Sequence, residues 1–238
     1  MNELQKKYES QIEELAETSR RLGELGFVTS HGGNLSYKVD DDVILITPTK
    51  VLKRKIRFED IIIITNEGKE LYSAADRKKT GETPMHVHLY KIRPDINALV
   101  HAHPPVLTGF SMTDCNILAR PLLPEPIIEL GPILPVNYAE PISDALAAEF
   151  DTVVEKSNAW LMKNHGIIIA STEGVGRTLD LLELAEAQAI SVRTGLAVGK
   201  INEIPRDEVK NLENTIRIRN IPRVGDPRKI KSLIDIYF

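Results

Sequence analysis

Residues 77 to 105 read RKKTGETPMHVHLYKIRPDINALVHAHPP, and both the fold and the chemistry of the chain are read outward from this stretch. It ends in an apolar run, Ala98-Leu99-Val100-His101-Ala102-His103, stopped by Pro104 and Pro105. In an extended strand successive side chains alternate between faces, so His101 and His103 point the same way, roughly 7 Å apart at Cβ. From that spacing two imidazoles can lean onto one metal, with Zn–N bonds of about 2.0–2.1 Å. On a helix the same pair would diverge, since the useful helical spacing is i, i+4. The two prolines fit a strand that opens into a loop, where a site would sit. Ahead of the strand, Gly81-Glu82-Thr83-Pro84 leads into a helix over Met85 to Lys91, with Pro84 in its first turn. A carboxylate just before a helix serves as readily as an N-terminal cap. Glu82 becomes a site candidate only through its relation to the histidines.

A third imidazole comes from further along. Trp160 to Ala170 reads as a strand, a His165-Gly166 break and a second strand. A histidine at such a break is free to project into a neighbouring pocket, so His101, His103 and His165 would make a three-nitrogen site. Three protein ligands leave a position open for substrate, which is the catalytic rather than the structural zinc pattern. His86 and His88 are separated by about 200° on a helix and cannot share a metal. His86 is read as a packing or hydrogen-bonding residue, His88 as exposed, and His31 as a turn residue.

The 238 residues suffice for one large domain or two small ones. Hydrophobic content of 42% and charged content of 27% are those of an ordinary globular protein. The net charge is −4 and the cations are dispersed, so no nucleic-acid footprint is expected. The basic cluster Lys50 to Arg57 is read as a solvated face. With Cys115 alone, no intrachain disulfide can form, and its neighbours Asp114 and Asn116 offer no cation to activate the thiol. The charged N-terminus lacks a signal-peptide core and no run reaches the length of a membrane span, so a cytoplasmic protein without membrane partners is expected.

In chain order, residues 3 to 25 form an expected amphipathic helix with Leu4, Tyr8, Ile12, Leu15, Ser19 and Leu22 along one stripe. Gly32-Gly33 is a turn leading into a strand; its backbone can approach an anion closely, and Asn34 and Ser36 add side-chain donors. Val43 to Ile46 and Ile61 to Thr65 are strands, and Leu71-Tyr72 a short one. Between the first two lies the turn Thr47-Pro48-Thr49-Lys50, with hydroxyls and an ammonium. Val106 to Met112 is expected as a helix, Ile133 to Val136 as a strand, Ser143 to Val154 as a helix capped by Ser143, and Gly174 to Val192 as a long helix. From about residue 200 the chain turns polar and proline-bearing, and a looser C-terminal arm ending in Leu233 to Phe238 is expected. One α/β domain over the whole chain, with a mixed or antiparallel sheet between helices, is the economical reading. A doubly wound nucleotide-binding fold is disfavoured, because neither G-x-G-x-x-G nor a Walker loop is present.

GGNLS, TPT, TGETPMH, RPDINALVHAHPP and NHG, in this order, resemble the class II aldolase/adducin family over roughly residues 8 to 195. The resemblance implies a three-layer α/β/α sandwich around a largely antiparallel sheet. It also implies a homotetramer with active sites between subunits and a divalent metal, usually Zn2+, with other transition metals accepted. Carried over by position, His101, His103 and His165 would bind the metal and Glu82 would be the acid/base residue. Gly33, Asn34, Thr49, Lys50, Thr80 and Gly81 would hold a substrate phosphate. Aldolases of this type carry Glu at position 82 where the epimerases carry Asp, so the implied reaction is reversible cleavage of a ketose 1-phosphate, fuculose 1-phosphate-like, to dihydroxyacetone phosphate and an aldehyde. A sugar-phosphate epimerase, dehydratase or decarboxylase on the same site is the alternative. A metal-free scaffolding module of the adducin kind would predict eroded histidines, which this chain does not have.

The chain departs from the family pattern in four places. Thr80 and Gly81 replace two serines, Lys50 replaces a glycine of the fuculose-type members, and their tyrosine from a neighbouring subunit has no clear counterpart. Glu125 stands nearby instead. Tyr138 and Tyr237 are candidates for closing the aldehyde side of the pocket.

Overall fold

The computed structural model describes residues 2–238. Two helices open it, α1 (Glu3–Lys7) and α2 (Glu9–Glu24). The single helix expected over residues 3–25 is interrupted at Tyr8, whose φ of −113° and ψ of 26° leave the helical region. There the ring sinks into the core and its hydroxyl donates to Asp40 at 3.1 Å. Strands β1 (Asn34–Asp40), β2 (Val43–Ile46), β3 (Ile62–Ile64) and β4 (Glu70–Tyr72) follow, with 3-10 turns at Lys53–Lys55 and Phe58–Asp60 between β2 and β3. The organising stretch supplies α3 (Thr83–Ile92), β5 (Ala98–Ala102) and α4 (Pro105–Ser111). Then come α5 (Pro124–Glu129), β6 (Ile133–Val136), α6 (Asp144–Ala148), β7 (Ala159–Met162), β8 (Gly166–Ser171), α7 (Val175–Val198), α8 (Arg206–Arg219) and α9 (Leu233–Tyr237).

The eight strands form one sheet in the order β4-β3-β2-β1-β5-β8-β7-β6. Every neighbouring pair is antiparallel except β6 with β7. Both faces are covered along β2, β3, β5, β7 and β8, which is why these strands read as near-continuous apolar runs rather than as alternating ones. Leu35, Leu45, Val100, Ile167 and Ile169 face a layer of α2, α4 and α7, where Ile12, Leu15, Leu22, Leu107, Leu179 and Leu182 meet them. Ile44, Ile46, Leu99, Ile168 and Ala170 face the opposite layer, where Met85 and Leu89 of α3 and Leu146 of α6 pack. Each such Leu, Ile, Val or Met side chain, fully withdrawn from water, contributes about 1.5–3 kcal/mol.

The buried Arg93 ties this frame across the chain. Its guanidinium binds Asp95 through both Nε and Nη2 and donates to the carbonyls of Val154 and Ser157 and to Asn158 Oδ1, all at 2.7–3.0 Å. Arg-Pro-Asp at residues 93–95 is thus a fastening between the end of α3 and the segment before β7.

One helix had no expectation, and two further segments differ from theirs. Pro124–Glu129, bracketed by prolines, forms the short helix α5, because proline is well placed in a first turn. The helix expected over 143–154 is capped by Ser143 Oγ, which accepts from Leu146 N at 3.1 Å, but it ends at Ala148 and gives way to 3-10 turns. The looser arm expected from residue 200 instead holds α8 and α9. Val209 and Ile216 of α8 and Leu233 and Ile236 of α9 build an apolar cluster with Ile127 and Ile128 of α5. The polar composition of α8 belongs to its outer face. No helix among the described residues is long and apolar enough to cross a membrane.

Candidate metal and acid–base centre

The site forms where β5 ends. β1 and β5 pair so that Asn34 lies directly opposite His101 and Ser36 opposite Leu99, which puts Asn34, Ser36 and His101 on the α3 face of the sheet. His103 follows two residues later, just past the strand, its backbone N–H held by the Phe27 carbonyl at 2.8 Å. His165 comes from the turn between β7 and β8, where Asn164 adopts a φ of +54°. Gly166 after it has no alternative: a Cβ there would stand 2.5 Å from the Ala102 carbonyl oxygen and 2.6 Å from the His103 ring. The His-Gly pair therefore lets the β7–β8 turn close onto β5.

Ligand-capable nitrogens of His101, His103 and His165 all lie within 4.8 Å of one another. His101 Nδ1 donates to the Ile167 carbonyl at 2.9 Å, which fixes its tautomer and leaves Nε2 as a lone-pair donor. That Nε2 is buried and has no hydrogen-bond partner, as does His165 Nδ1. Burial pushes His103 down to about 3 and His165 down to about 4, with His101 acting in the same direction. Neutral rings with unused lone pairs on a converging set are what a divalent transition metal requires, so the residues present fit one.

Glu82 stands beside this set. It is the N-cap residue of α3 yet makes no capping bond through its side chain. Its carboxylate turns instead to the site, with Oε2 3.4 Å from His101 Nε2 and Oε1 3.5 Å from His165 Nε2. Burial pushes the carboxyl up, but His101, the Asn34 amide, His165 and His86 outweigh it and hold Glu82 down at about 2.

Behind Glu82 runs a buried chain of hydrogen bonds. Asn34 Nδ2 donates to Glu82 Oε2 at 2.6 Å, and Asn34 Oδ1 accepts from His86 Nε2. His86 Nδ1 accepts from Ser36 Oγ at 2.7 Å, and Ser36 Oγ in turn meets the Tyr90 hydroxyl at 2.8 Å. His86 and Tyr90 lie one turn apart on α3, Asn34 and Ser36 two apart on β1, so each element presents its pair on the facing side. Burial holds His86 down at about 3, a neutral ring with one donor and one acceptor.

The other candidates sit around this core at different depths. Gly33 has a φ of +68°, and a Cβ would stand 2.4 Å from Val28, so the turn before β1 admits only glycine. Thr80 is buried and its hydroxyl accepts from Glu82 N at 3.4 Å. Gly81 is half-buried against Ile142. Thr49 is half-buried, tied by its N–H to the Lys78 carbonyl at 2.8 Å. Lys50 is exposed and has a φ of +57°, a left-handed conformation that suits glycine better than lysine. A cavity of about 680 Å³ between α3 and α6 touches the site only through Thr80 and Gly81. Glu125 is exposed at the start of α5, Tyr138 is 61% exposed, and Tyr237 packs on the α5–α8–α9 cluster. His31 is exposed, and His88 pairs with Asp151 at 2.7 Å.

Lys53 was not expected. It lies in the basic cluster read as a solvated face, yet it is only 2% exposed. Its apolar flank, Val51-Leu52 before and Ile56 after, is the one signal in the sequence for an inward-facing position.

The chain is similar to known proteins in sequence and in fold. The model of the class II aldolase and adducin N-terminal domain matches residues 13–189. A 3-oxo-tetronate 4-phosphate decarboxylase of Haemophilus influenzae is 28% identical over 86% of this chain and 97% of its own. An L-fuculose phosphate aldolase of Methanococcus maripaludis is 34% identical over 71% of this chain and 90% of its own. The structure of YgbL from Klebsiella pneumoniae superposes with a TM-score of 0.78 at 26% identity, covering 86% of this chain and 98% of that one. With the sheet order, the histidine set and these matches together, the chain belongs to the class II aldolase and adducin N-terminal domain family.

Proposed function

We propose that this chain is a divalent-metal-dependent carbon–carbon lyase that reversibly cleaves a ketose 1-phosphate to dihydroxyacetone phosphate and an aldehyde. The observation that carries the reading is the convergence of His101, His103 and His165 within 4.8 Å, with Glu82 at 3.4 and 3.5 Å from two of the rings. Those imidazoles would hold Zn2+, or cobalt, manganese or iron. When bound, the metal would supply Lewis-acid stabilisation of negative charge on the substrate's ketone oxygen, worth several kcal/mol.

The chain's own residues supply the remainder. Glu82, ionised at neutral pH, takes the proton from the hydroxyl on carbon 4. The bond between carbons 3 and 4 then breaks, its electron pair moves toward the oxygen on carbon 2, and the aldehyde departs. Glu82 returns the proton to carbon 3, which completes dihydroxyacetone phosphate. Asn34 holds the carboxylate on the reacting side. The phosphate sits on backbone and hydroxyl donors of Gly33, Thr49, Thr80 and Gly81, with Asn34 and Lys50 at its edge, so that binding energy remote from the reaction positions the carbons.

A second reading has a specific observation behind it, the match to 3-oxo-tetronate 4-phosphate decarboxylases. Loss of carbon dioxide from that β-keto acid leaves the same three-carbon enediolate phosphate, and protonation again gives dihydroxyacetone phosphate. The machinery is shared; only the departing fragment differs. By the same family likeness the chain is proposed to act as a cytoplasmic homotetramer with sites between subunits.

Dihydroxyacetone phosphate mixed with a panel of aldehydes, with the condensed products identified by NMR, tests the first reading. 3-Oxo-tetronate 4-phosphate with measurement of released carbon dioxide tests the second. Neither product from metal-loaded protein would overturn both. Glu82→Gln should lower turnover by about 10²–10⁴-fold and abolish deuterium exchange at the donor carbon while metal content is unchanged. Full exchange in that variant would remove Glu82 from its role.

A further inference from the structure

Lys53 is 2% exposed, and a lysine is almost never so deeply buried without a charged partner. Among the described residues no carboxylate lies within 4.0 Å of its ammonium, and its one hydrogen bond, to the Val51 carbonyl, is 3.5 Å long. Two of its three donors are therefore idle. The cost of burying an unpaired charge makes this an unfavourable feature for the fold alone.

The backbone that carries Lys53 is held in place from several sides. Lys53 opens a 3-10 turn whose next residue, Arg54, places its backbone N where a Cβ on Gly23 of α2 would come within 2.7 Å. The loop leading to it is stitched to β1, with Thr47 N donating to the Leu35 carbonyl at 3.0 Å and Leu35 N donating to Thr47 Oγ1 at 3.1 Å. The same loop accepts from Thr80 N at 3.3 Å through the Thr47 carbonyl. Lys53 thus hangs from a loop locked between the strand carrying Asn34 and the segment carrying Thr80 and Glu82. Burial pushes its ammonium down to about 8, and the charge of Glu82 pulls it back up. Glu82 forms no ion pair with it: that carboxylate lies against His101 Nε2, His165 Nε2 and the Asn34 amide.

We propose that Lys53 is an anion-binding residue of this site, its buried ammonium taking the substrate's phosphate group. The inference rests on the sugar-phosphate reading above. Phosphate is the one anionic group common to both reactions considered there. The neighbouring hydroxyls of Thr49 and Thr80 and the Gly33 turn can donate to a phosphate but cannot neutralise it, and the ammonium of Lys50 at its edge is exposed to water, where a charge acts weakly; a buried ammonium both donates and neutralises.

Inorganic phosphate is the probe. Titrated calorimetrically into metal-loaded wild type, K53M and K53R, it should bind K53M at least tenfold more weakly than wild type, with K53R between them and metal content equal in all three. Without phosphate, K53M should melt at or above the wild-type temperature, since an unpaired buried charge has been removed. In turnover assays K53M should raise KM more than it lowers kcat. Phosphate binding by K53M within twofold of wild type overturns the proposal, as does a wild type that does not bind phosphate. A K53M protein that fails to fold or melts well below wild type also overturns it, by making Lys53 a structural residue. A wild type that binds phosphate in a Lys53-dependent way but forms neither product sinks the lyase reading and leaves Lys53 standing.

Discussion

Asn34 spends its amide in two directions, and this fixes which of its ends faces the reaction. The oxygen is taken by His86 and the nitrogen is left for Glu82. Replacing His86 with leucine would leave Asn34 Oδ1 without a partner inside the core and Ser36 Oγ with the Tyr90 hydroxyl alone, at a cost of about 1–3 kcal/mol in chemical denaturation. The same change frees the Asn34 amide to turn over, and kcat should fall by roughly tenfold to a hundredfold, the penalty of an approximately 1 Å misplacement. Metal content should stay at the wild-type level, and an unchanged kcat would show that Glu82 keeps its position without this support. At this scale the histidine set was legible in the sequence, because strand period puts His101 and His103 on one side and the His-Gly break frees His165. The second half of the network was not, since the pairing of Asn34 with His86 depends on how α3 lies over β1. Lys53 escaped for another reason: a three-residue 3-10 turn has neither the period of a strand nor that of a helix to show which way a side chain faces.

Among the elements, the loop after β2 and the C-terminal helices make separate predictions. Lys50 holds a left-handed φ of +57° that costs a non-glycine residue roughly 1–2 kcal/mol. Lys50→Gly should recover about 1 kcal/mol of stability in urea titration, after allowance for the greater freedom of glycine when unfolded. With its exposed ammonium at the edge of the proposed phosphate subsite, the same change should raise KM no more than a few-fold, and an unchanged KM would place Lys50 outside that subsite. The C-terminal helices hinge on Asp226, where hydrogen bonds from the Arg228 side chain outweigh burial and hold the carboxyl down at about 2, against an ordinary 3.8. A carboxyl that binds its proton less readily folded than unfolded adds stability above about pH 3.8, and loses it as the pH falls toward about 2. Acid unfolding followed by circular dichroism should therefore show a component over that interval which Asp226→Asn abolishes. The strands and the long helix were readable from apolar runs and periodicity. The C-terminal helices were not, because α8 is polar on all but one narrow stripe and its apolar partners come from α5, a helix hidden among prolines.

For the whole molecule, assembly and metal dependence are the measurable properties. Light scattering should give a mass four times the 26.6 kDa of one chain, and a monomer would refute the proposed intersubunit site. Stripping the metal with a chelator should lower the melting temperature, since a ligand at about a thousand times its Kd adds about 4 kcal/mol to the folded state. Fold class was open to sequence reading at this level; the exact order of strands was not, because it depends on which distant segments meet. That order has a further consequence. β1 lies between β2 and β5, and β5 between β1 and β8, so the centre of the sheet is completed by a strand that emerges late from the ribosome. A nascent chain that has reached only residue 158 carries two of the three imidazoles and lacks the hairpin that brings the third. On the proposed reading of this histidine set, cation loading would follow translation of β8 rather than guide the earlier steps of folding, and metal starvation would leave a fully synthesised, sheet-complete protein without the cation.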